Sequence, residues 1–494
     1  MATCIDTLIP IITKFINLSL SQGIVPDSIK LAIVSPLLKK SNLNSEILSN
    51  YRPVSNLTFV SKILEKVVNK QLSSYFSEHR SLDPFQSAYR KQYSTETALV
   101  RVTNDILRAL DHGDDAVLVL LDLSAAFDTI DHNILLDRLY TRFGIADTTL
   151  SWIKSYLNHR KQSVIIGNAR SKPTPLTHGV PQGSVLGPLL FSLYVGPLGD
   201  IMKIHGIHYM CYADDTQLYL TFGSGSAVDN IMRLQCCIRD IQSWMCKNML
   251  KLNEGKTEVV YLKSQFRVHE DISPITVGSS VIDPSLSARN LGVIIDSVLS
   301  MSPHLKNLCR TATNSLRYIS RLRKYLDTDA TKKLVNAFVI SKLDYCNALF
   351  YGLPDTSIQC LQRLQNTAAR IVTRTKKYEH ISPVLRELHW LPIKFRLQFK
   401  MLLLTYKCIH NMAPQYMCEL LTIHCASRTL RSSNDVRLLP PKIQNVKTQF
   451  YGRRAFSVAE PELWNALPSN IKSSQSCDSF KANLKTCLFK CAFS

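Results

Sequence analysis

Acid is scarce in this chain: 38 Asp+Glu face 59 Lys+Arg, for a formal net charge of +21 over 494 residues. Paired cysteines are missing as well. The 14 cysteines include no C-x-x-C pair, and so long a chain needs no disulfide staples, so reduced thiols in an intracellular protein are expected. No window approaches the roughly 18 uncharged apolar residues of a membrane-spanning helix. The apolar stretch after Met1 carries Asp6 and Lys14 and follows no basic segment, so no secretory leader is expected. No period of roughly 20 to 50 residues recurs, which excludes repeat architectures. With 45% hydrophobic residues, 17 Gly and 21 Pro, disorder, collagen and coiled-coil arrays are excluded too. The expectation is a nuclear and/or cytoplasmic protein that is neither secreted nor membrane-bound, with no strong basic nuclear signal.

At about 100–200 residues per domain, the length predicts about three units. They do not share the charge equally. Residues 1–300 hold 29 basic and 27 acidic side chains, whereas residues 301–494 hold 30 and 11. An excess of +19 confined to the C-terminal part points to a polyanionic partner gripped there.

Along the first 110 residues, helical spacing alternates with polar breaks. Ile63, Leu64, Val67, Val68, Leu72 and Tyr75 predict an amphipathic helix over 61–76, and 95–110 reads the same way, with a loop at 83–94 between them. The period then changes. Ala116-Val-Leu-Val-Leu-Leu-Asp-Leu is a continuous apolar run, the pattern of a strand buried on both faces, and it ends on Asp122. Helices follow around Ile130–Leu139 and Trp152–Leu157, then a strand at Ser163-Val-Ile-Ile. The glycine-punctuated loop Gly179-Val-Pro-Gln-Gly-Ser-Val-Leu-Gly-Pro opens a helix over 189–195. His208 to Leu220 reads as a hairpin with Asp214-Asp215 at its tip. A helix over 228–248, a turn at Asn253-Glu-Gly-Lys and a strand over 259–262 come next, and Ile275-Thr-Val with Leu291–Asp296 predicts a second hairpin. From His304 to Pro440-Pro441 every pattern is helical, and a short mixed tail closes the chain.

Asp122 and Asp214 thus stand at the ends of buried strands, with Asp215 adjoining. A lone Ala-Asp-Asp suits an ordinary polar turn, but a carboxylate closing the run Val117–Leu121 is costly unless paired or metal-bound. Oxygen ligands of this kind suit Mg²⁺, and two ions about 3.5–4 Å apart activate an attacking hydroxyl and stabilise leaving pyrophosphate. That chemistry is nucleotidyl transfer.

In order and spacing, Leu120-Leu-Asp-Leu-Ser-Ala-Ala-Phe-Asp-Thr-Ile-Asp-His, the Gly179–Pro188 loop and Tyr212-Ala-Asp-Asp resemble the central motifs of reverse transcriptases. Tyr51-Arg-Pro-Val-Ser, Phe85-Gln-Ser-Ala-Tyr-Arg with Ser94-Thr-Glu-Thr-Ala, and Leu252-Asn-Glu-Gly-Lys-Thr-Glu resemble fingers and palm motifs of LINE-type (non-LTR) retrotransposon polymerases, in particular the jockey and chicken-repeat group. Tyr451-Gly-Arg-Arg-Ala-Phe-Ser-Val and Leu463-Trp-Asn-Ala-Leu-Pro resemble that group's C-terminal ends, so the likeness runs through essentially the whole chain.

The resemblance implies an α+β right-hand polymerase: an N-terminal extension and fingers at 1–115, a palm with inserted fingers elements and an antiparallel sheet at 116–300, a helical thumb at 301–378 and a basic, mainly helical C-terminal domain at 379–494. The reverse transcriptase domain itself would run roughly from 30 to 297. Asp122, Asp214 and the backbone carbonyl of Leu123 would hold two Mg²⁺, with Mn²⁺ a substitute, and Asp215 would support them. Phe127 resembles the steric gate that clashes with a ribose 2′-hydroxyl. Gln182 and Gly183 resemble the loop lining the nucleotide pocket, where glycine admits close approach. Arg90 and Arg52 resemble fingers residues that reach the triphosphate, a task suited to guanidinium. Lys256 resembles the lysine proposed to protonate pyrophosphate. Asp128, Asp131 and His132 are assigned to helix capping and internal hydrogen bonds.

Behind the palm, Arg363, Arg370, Arg374 and Lys377 are spaced 7, 4 and 3 and are expected on one helix face, opposite Leu361, Leu364, Ala368 and Val372, where they would track duplex phosphates. Cys408, His410, Cys418, His424 and Cys425 match no standard zinc spacing, so metal is not expected there. Only 50 residues precede Tyr51, fewer than an endonuclease domain needs, so the expectation is a polymerase portion lacking one, with a separate endonuclease as partner. The expected activity is RNA-directed DNA polymerisation from dNTPs, an RNA template and a DNA primer. A truncated, inactive copy that only binds RNA is the alternative, and an RNA-dependent RNA polymerase, disfavoured by Phe127, the third.

Overall fold

The computed structural model describes residues 5–124, 127–223, 225–266, 273–424, 436–441, 448 and 450–493. Two strands of its first sheet fall where sequence periodicity indicates none. Strand β1 (Leu31–Leu38) pairs antiparallel with β2 (Tyr51–Asn56), and Pro36 lies opposite Pro53. Proline lacks the ladder donor and obscures a strand pattern. The strand survives because Ala32 and Val34 are buried and the other edge of β1 is also paired.

Helix α1 (Phe59–Glu78) starts where Thr58 accepts the Ser61 N–H and buries Leu64, Val68, Leu72 and Phe76 at intervals of four. Helix α2 (Thr95–His112) opens with a capping box between Ser94 and Thr97 and closes on Gly113 at φ +99°. It lies inside the molecule, buried nearly all round, with Glu96, Thr97, Asn104 and Asp111 among its buried residues.

The uninterrupted apolar run becomes β3 (Asp115–Leu121). Its residues sort by parity: Val117, Val119 and Leu121 enter one core, Ala116 and Leu118 another on the opposite face of the sheet. Both faces are covered, so no polar alternation is needed, and full burial of each Val or Leu contributes about 1.5–3 kcal/mol. After helix α3 (His132–Thr141), capped by Asp131, strand β4 (Lys161–Ile166) pairs parallel to β1 and completes the first sheet's centre. Helix α4 (Gly187–Val195) leads to the hairpin β5 (His208–Tyr212) and β6 (Asp215–Phe222), then to helix α5 (Ala227–Lys247) and strand β7 (Glu258–Leu262). The second sheet has the order β7-β3-β6-β5, antiparallel throughout.

Two expectations are corrected beyond it. Ile275–Val277 does not pair with 291–296; it folds back on Ser280–Ile282, and Ser287–Asn290 pairs with Val293–Asp296. The reason is turn chemistry: Leu291 (φ +44°) and Gly292 (φ +85°) form the two-residue turn of the second hairpin, not the start of a strand. The tail is helical, with Phe456–Asn465, Ser469–Lys472 and Cys477–Phe493 packed through Trp464, Phe480 and Leu484.

The C-terminal half is built on α6 (Ser302–Leu322), α7 (Asp355–Thr373), α8 (Ile393–Ile409) and the short α9 (Gln415–Cys418). One continuous core joins α6, α7 and α8 to α2 and to one face of the second sheet. No described helix is long and apolar enough to cross a membrane.

Candidate active site

Register brings the acids together. Leu121 of β3 faces Thr216 of β6, so the next residues outward, Asp122 and Asp215, emerge side by side at the end of the sheet, with Asp214 in the hairpin turn. The half-buried Asp122 carboxylate accepts from Lys256 Nζ at 3.0 Å and from Asn253 Nδ2 at 3.2 Å, and its backbone carbonyl accepts the Asn253 N–H at 2.8 Å. The turn carrying Lys256 is braced in its own right. Glu254 accepts from the Ser279 and Ser280 hydroxyls at 3.0 and 2.8 Å, and Gly278 admits it, since a Cβ there would lie 2.0 Å from Glu254 Oε1. The Leu123–Ser124 segment pairs with Lys251–Leu252, which fixes the buried Leu123 beside Asp122.

Charge is under-compensated here. Burial raises the Asp214 carboxyl and Asp122 raises it further, against its own backbone N–H, Arg52 and Lys256. Asp215 is pushed up to about 6, by burial first and then by Asp214 and Asp122, with Lys256 opposing. Among the described residues no three His, Cys, Asp or Glu side chains converge on one point in this conformation, in which Asp122 faces the Lys256 ammonium. The donors are nonetheless those a hard dication takes, carboxylate oxygen in excess of local positive charge.

The turn itself is strained and held. Ala213 sits at φ +59°, a region that costs a residue bearing Cβ on the order of 1–2 kcal/mol. Gln86, buried in the 83–94 loop, clasps it: Oε1 accepts the Ala213 N–H at 3.0 Å and Nε2 donates to the Ala213 carbonyl at 3.3 Å. Residues 85–87 continue the sheet beyond β5, the Cys211 N–H donating to Phe85 O at 2.9 Å and the Ser87 N–H to Cys211 O at 2.8 Å. Tyr89, at φ +60° and 58% exposed, lies close enough to Asp214 and Asp215 for their charge to raise its hydroxyl pKa, after burial. Sequence patterns give neither Gln86 nor Tyr89 a role; the partner of Gln86 is 127 residues away, and only the strained Ala213 marks the need for a clasp.

On the other side of Asp122, Phe127 stacks on Phe191 (centroids 4.8 Å apart), and its carbonyl accepts the Val180 N–H at 3.0 Å. Gln182 Nε2 donates to both carboxylate oxygens of Asp128, at 2.9 and 2.8 Å. Asp128 is therefore not a helix cap, and Asp131 alone has that role, while His132 Nε2 lies 2.8 Å from Gly179 O. The Gln182 carbonyl accepts the Ser55 N–H at 2.7 Å, and at Gly183 (φ +109°) a Cβ would lie 2.9 Å from Ser55 O, so glycine permits the loop to press on β2. The buried Glu65 of α1, also missed from sequence, accepts the N–H groups of Val185 and Leu186 at 2.6 and 3.1 Å and anchors the loop ahead of α4. Exposed Arg52 on β2 lies within electrostatic reach of Asp214. Arg90 is otherwise engaged: its Nη1 donates to the carbonyls of Asp83 and Gln86 at 2.7 and 3.1 Å, and its guanidinium lies 4.1 Å from the Tyr93 ring centre.

Residues 37–295, just over half of the chain, match the family described as reverse transcriptase (RNA-dependent DNA polymerase). The chain belongs to the reverse transcriptase family. The probable RNA-directed DNA polymerase from transposon BS of Drosophila melanogaster is 28% identical over 383 residues, 76% of this chain and 41% of that protein. The RNA-directed DNA polymerase from mobile element jockey of Drosophila funebris is 27% identical over 370 residues, 73% and 40% respectively. The chain thus spans about two fifths of the length of these relatives. Among solved structures, apo telomerase from Candida tropicalis, truncated from its C-terminal domain, aligns with a TM-score of 0.39 at 13% identity, over 56% of this chain and 55% of that one.

The helical half, which carries most of the excess positive charge, packs against one face of the second sheet. There the expected cationic stripe breaks up. Helix α7 ends at Thr373, and Arg374 follows in the left-handed region at φ +59° with no glycine to announce it, so Lys377 lies beyond the helix. Arg370 donates to the carbonyls of Lys376, Lys377 and Glu379, and Arg374 to that of Arg323; Arg363 stays exposed on α7. A continuous stripe lies instead on α6. Lys306, Arg310, Arg317 and Arg321 are spaced 4, 7 and 4, all exposed, and none forms an ion pair with a described residue, while Leu305, Leu308, Ala312, Leu316 and Ile319 bury the opposite face. Exposed Tyr318 and Tyr325 flank it. The spacing was legible in sequence. Farther along, Cys418 Sγ donates to the Cys408 and Ala413 carbonyls, and Cys425 lies outside the described residues.

Proposed function

We propose that this chain is the polymerase part of a non-LTR retrotransposon protein and adds dNTPs to a DNA 3′-hydroxyl on an RNA template. The observation that carries the reading is the juxtaposition of Asp122, Asp214 and Asp215 at the end of the second sheet, mutually repelling, with Lys256 and Arg52 the cations that oppose it among the described residues. Asp122, Asp214 and the Leu123 carbonyl would hold two Mg²⁺, with Mn²⁺ able to replace them. Bound there, the ions supply charge neutralisation for the attacking hydroxyl and the leaving pyrophosphate.

The chain's own groups do the rest. Lys256, whose ammonium lies 3.0 Å from the Asp122 carboxylate, would serve as general acid toward the leaving pyrophosphate. Phe127, fixed by Phe191, forms the wall against which a 2′-hydroxyl clashes. Gln182, tethered by Asp128, and Gly183, pressed on β2, shape the base and sugar pocket. Arg52 reaches the triphosphate from the fingers, joined by Arg90 if it leaves its loop carbonyls. The α6 stripe, with Arg363, Arg370, Arg374 and Lys377 as its neighbours in the thumb, grips duplex phosphates.

Primer extension on an RNA template with dNTPs against rNTPs tests the reading. The wild type is expected to incorporate dNTPs, Asp214→Ala nothing measurable, and Phe127→Ala to gain rNTP incorporation. Extension by Asp214→Ala at the wild-type rate would overturn it.

A further inference from the structure

The catalytic turn is braced from the far end of the chain. Gln86 holds Ala213, and the loop bearing Gln86 is in turn held by Tyr416 of α9, more than 300 residues away. Tyr416 is 1% exposed. Its hydroxyl lies 3.0 Å from Ser87 Oγ and 3.0 Å from Thr97 Oγ1. Its ring stacks on Phe85 (centroids 6.2 Å, 18° between planes) and meets Tyr93 edge-on at 5.8 Å. Its carbonyl accepts from Arg101 Nη1 at 2.8 Å, while Arg101 also pairs with Asp105 at 2.9 Å, and Asp105 accepts the hydroxyl of Tyr219 on β6 at 2.7 Å. The C-terminal half grips α2 at two further points: Lys400 pairs with Glu96 at 3.0 Å, and the Ser457 N–H donates to Asn104 Oδ1 at 3.0 Å.

From these contacts we infer that Tyr416 is a positioning residue of the polymerase centre, acting through Phe85, Ser87 and Gln86 on the Ala213–Asp214 turn, so that the helical C-terminal region is part of the catalytic unit. The inference rests on the polymerase reading above. Its physical basis is the strain at Ala213: a residue held in a sparsely populated conformation persists only where its surroundings fix it. The only side chain that bonds the Ala213 backbone, among the described residues, sits on a loop clamped between β5 and Tyr416. Buried polar contacts of this kind are expensive to half-remove, because the hydroxyls left behind stay buried.

Tyr416→Phe removes one hydroxyl and keeps the ring, so the fold is retained. In the full chain it is expected to lower kcat for dNTP incorporation roughly tenfold, with KM for dNTP and affinity for an RNA–DNA duplex unchanged. Gln86→Ala should lower kcat further, and the double variant should be no slower than Gln86→Ala alone, because both act through one route. Hydrogen exchange in the 208–218 segment should accelerate in both single variants, which a role confined to C-terminal packing would not produce. Multiplicative effects in the double variant, or wild-type kcat and exchange in Tyr416→Phe, would overturn the inference. A wild-type chain that incorporates no dNTP would sink the polymerase reading instead, and the exchange measurement would still decide on the brace.

Discussion

Asp214 and Asp215 stand at the end of the second sheet at the expense of stability. Asp214 and Asp215 are desolvated and repelled by each other and by Asp122, and the two cations within reach do not cancel that. Asp214→Asn, nearly isosteric, should therefore abolish incorporation while raising metal-free stability at pH 7.5 by roughly 0.5–1 kcal/mol, allowing for solvent screening. Thermal unfolding with chelator present checks this; an unchanged or lower Tm would show that the acids are fully compensated. At this scale sequence made the chemistry legible but not its supports. Asp122 stands out because a carboxylate closing Val117–Leu121 needs a reason, and Asp214 because it tips a hairpin. Gln86, Glu65 and the Asp128 partner of Gln182 act across 54 to 127 residues, distances at which polar side chains carry no periodic signal.

Among the elements, the junction between palm and α6 carries a pH-sensitive group. His304, buried at the start of α6, accepts the Ile294 N–H at Nδ1 at 3.2 Å and is therefore neutral. Burial first, then Arg289, lowers its pKa from 6.5 to about 4. The folded pKa lies below the unfolded one, so the unfolded chain binds the proton more readily. The stability is fully present above about pH 6.5 and is lost as pH falls toward 4, a change on the order of 3 kcal/mol. Thermal unfolding from pH 7.5 to 5 should show a slope that shrinks in His304→Asn, which keeps an acceptor for Ile294; an equal slope in both proteins would place the acid sensitivity elsewhere. Helices with clear starts, such as α1 and α2, were legible to within two residues at either end. Strands β1 and β2 were hidden by Pro36 and Pro53, and the end of α7 by a left-handed Arg374 where glycine is the usual marker.

For the whole molecule, the asymmetry of charge becomes a division of labour. The net +2 of residues 1–300 surrounds the acids, and the +19 of residues 301–494 is spread over the helices behind them. Sequence spacing points to α7 for the cationic stripe, but spacing alone cannot tell whether an arginine points outward or, like Arg370 and Arg374, ties down its own helix end. Duplex affinity should fall steeply with salt. Replacing Arg310, Arg317 or Arg321 by Gln should each reduce the slope of log K against log salt by roughly 0.9 for every phosphate left unneutralised, and Arg370→Gln, whose guanidinium is engaged by the carbonyls of its own helix end, should reduce it less. A slope altered by Arg370→Gln and not by the α6 variants would return the interface to α7.

Catalysis by the palm acids is tested most directly by single-turnover incorporation of one dNTP into a preformed RNA-template/DNA-primer duplex with Mg²⁺, comparing the wild type with Asp122→Asn. Both proteins are predicted to bind the duplex with the same affinity, while incorporation falls in the variant by at least about a thousandfold, the scale of losing a principal electrostatic contributor. A wild type that binds the duplex and incorporates nothing, or an Asp122→Asn variant that incorporates at the wild-type rate, would contradict it.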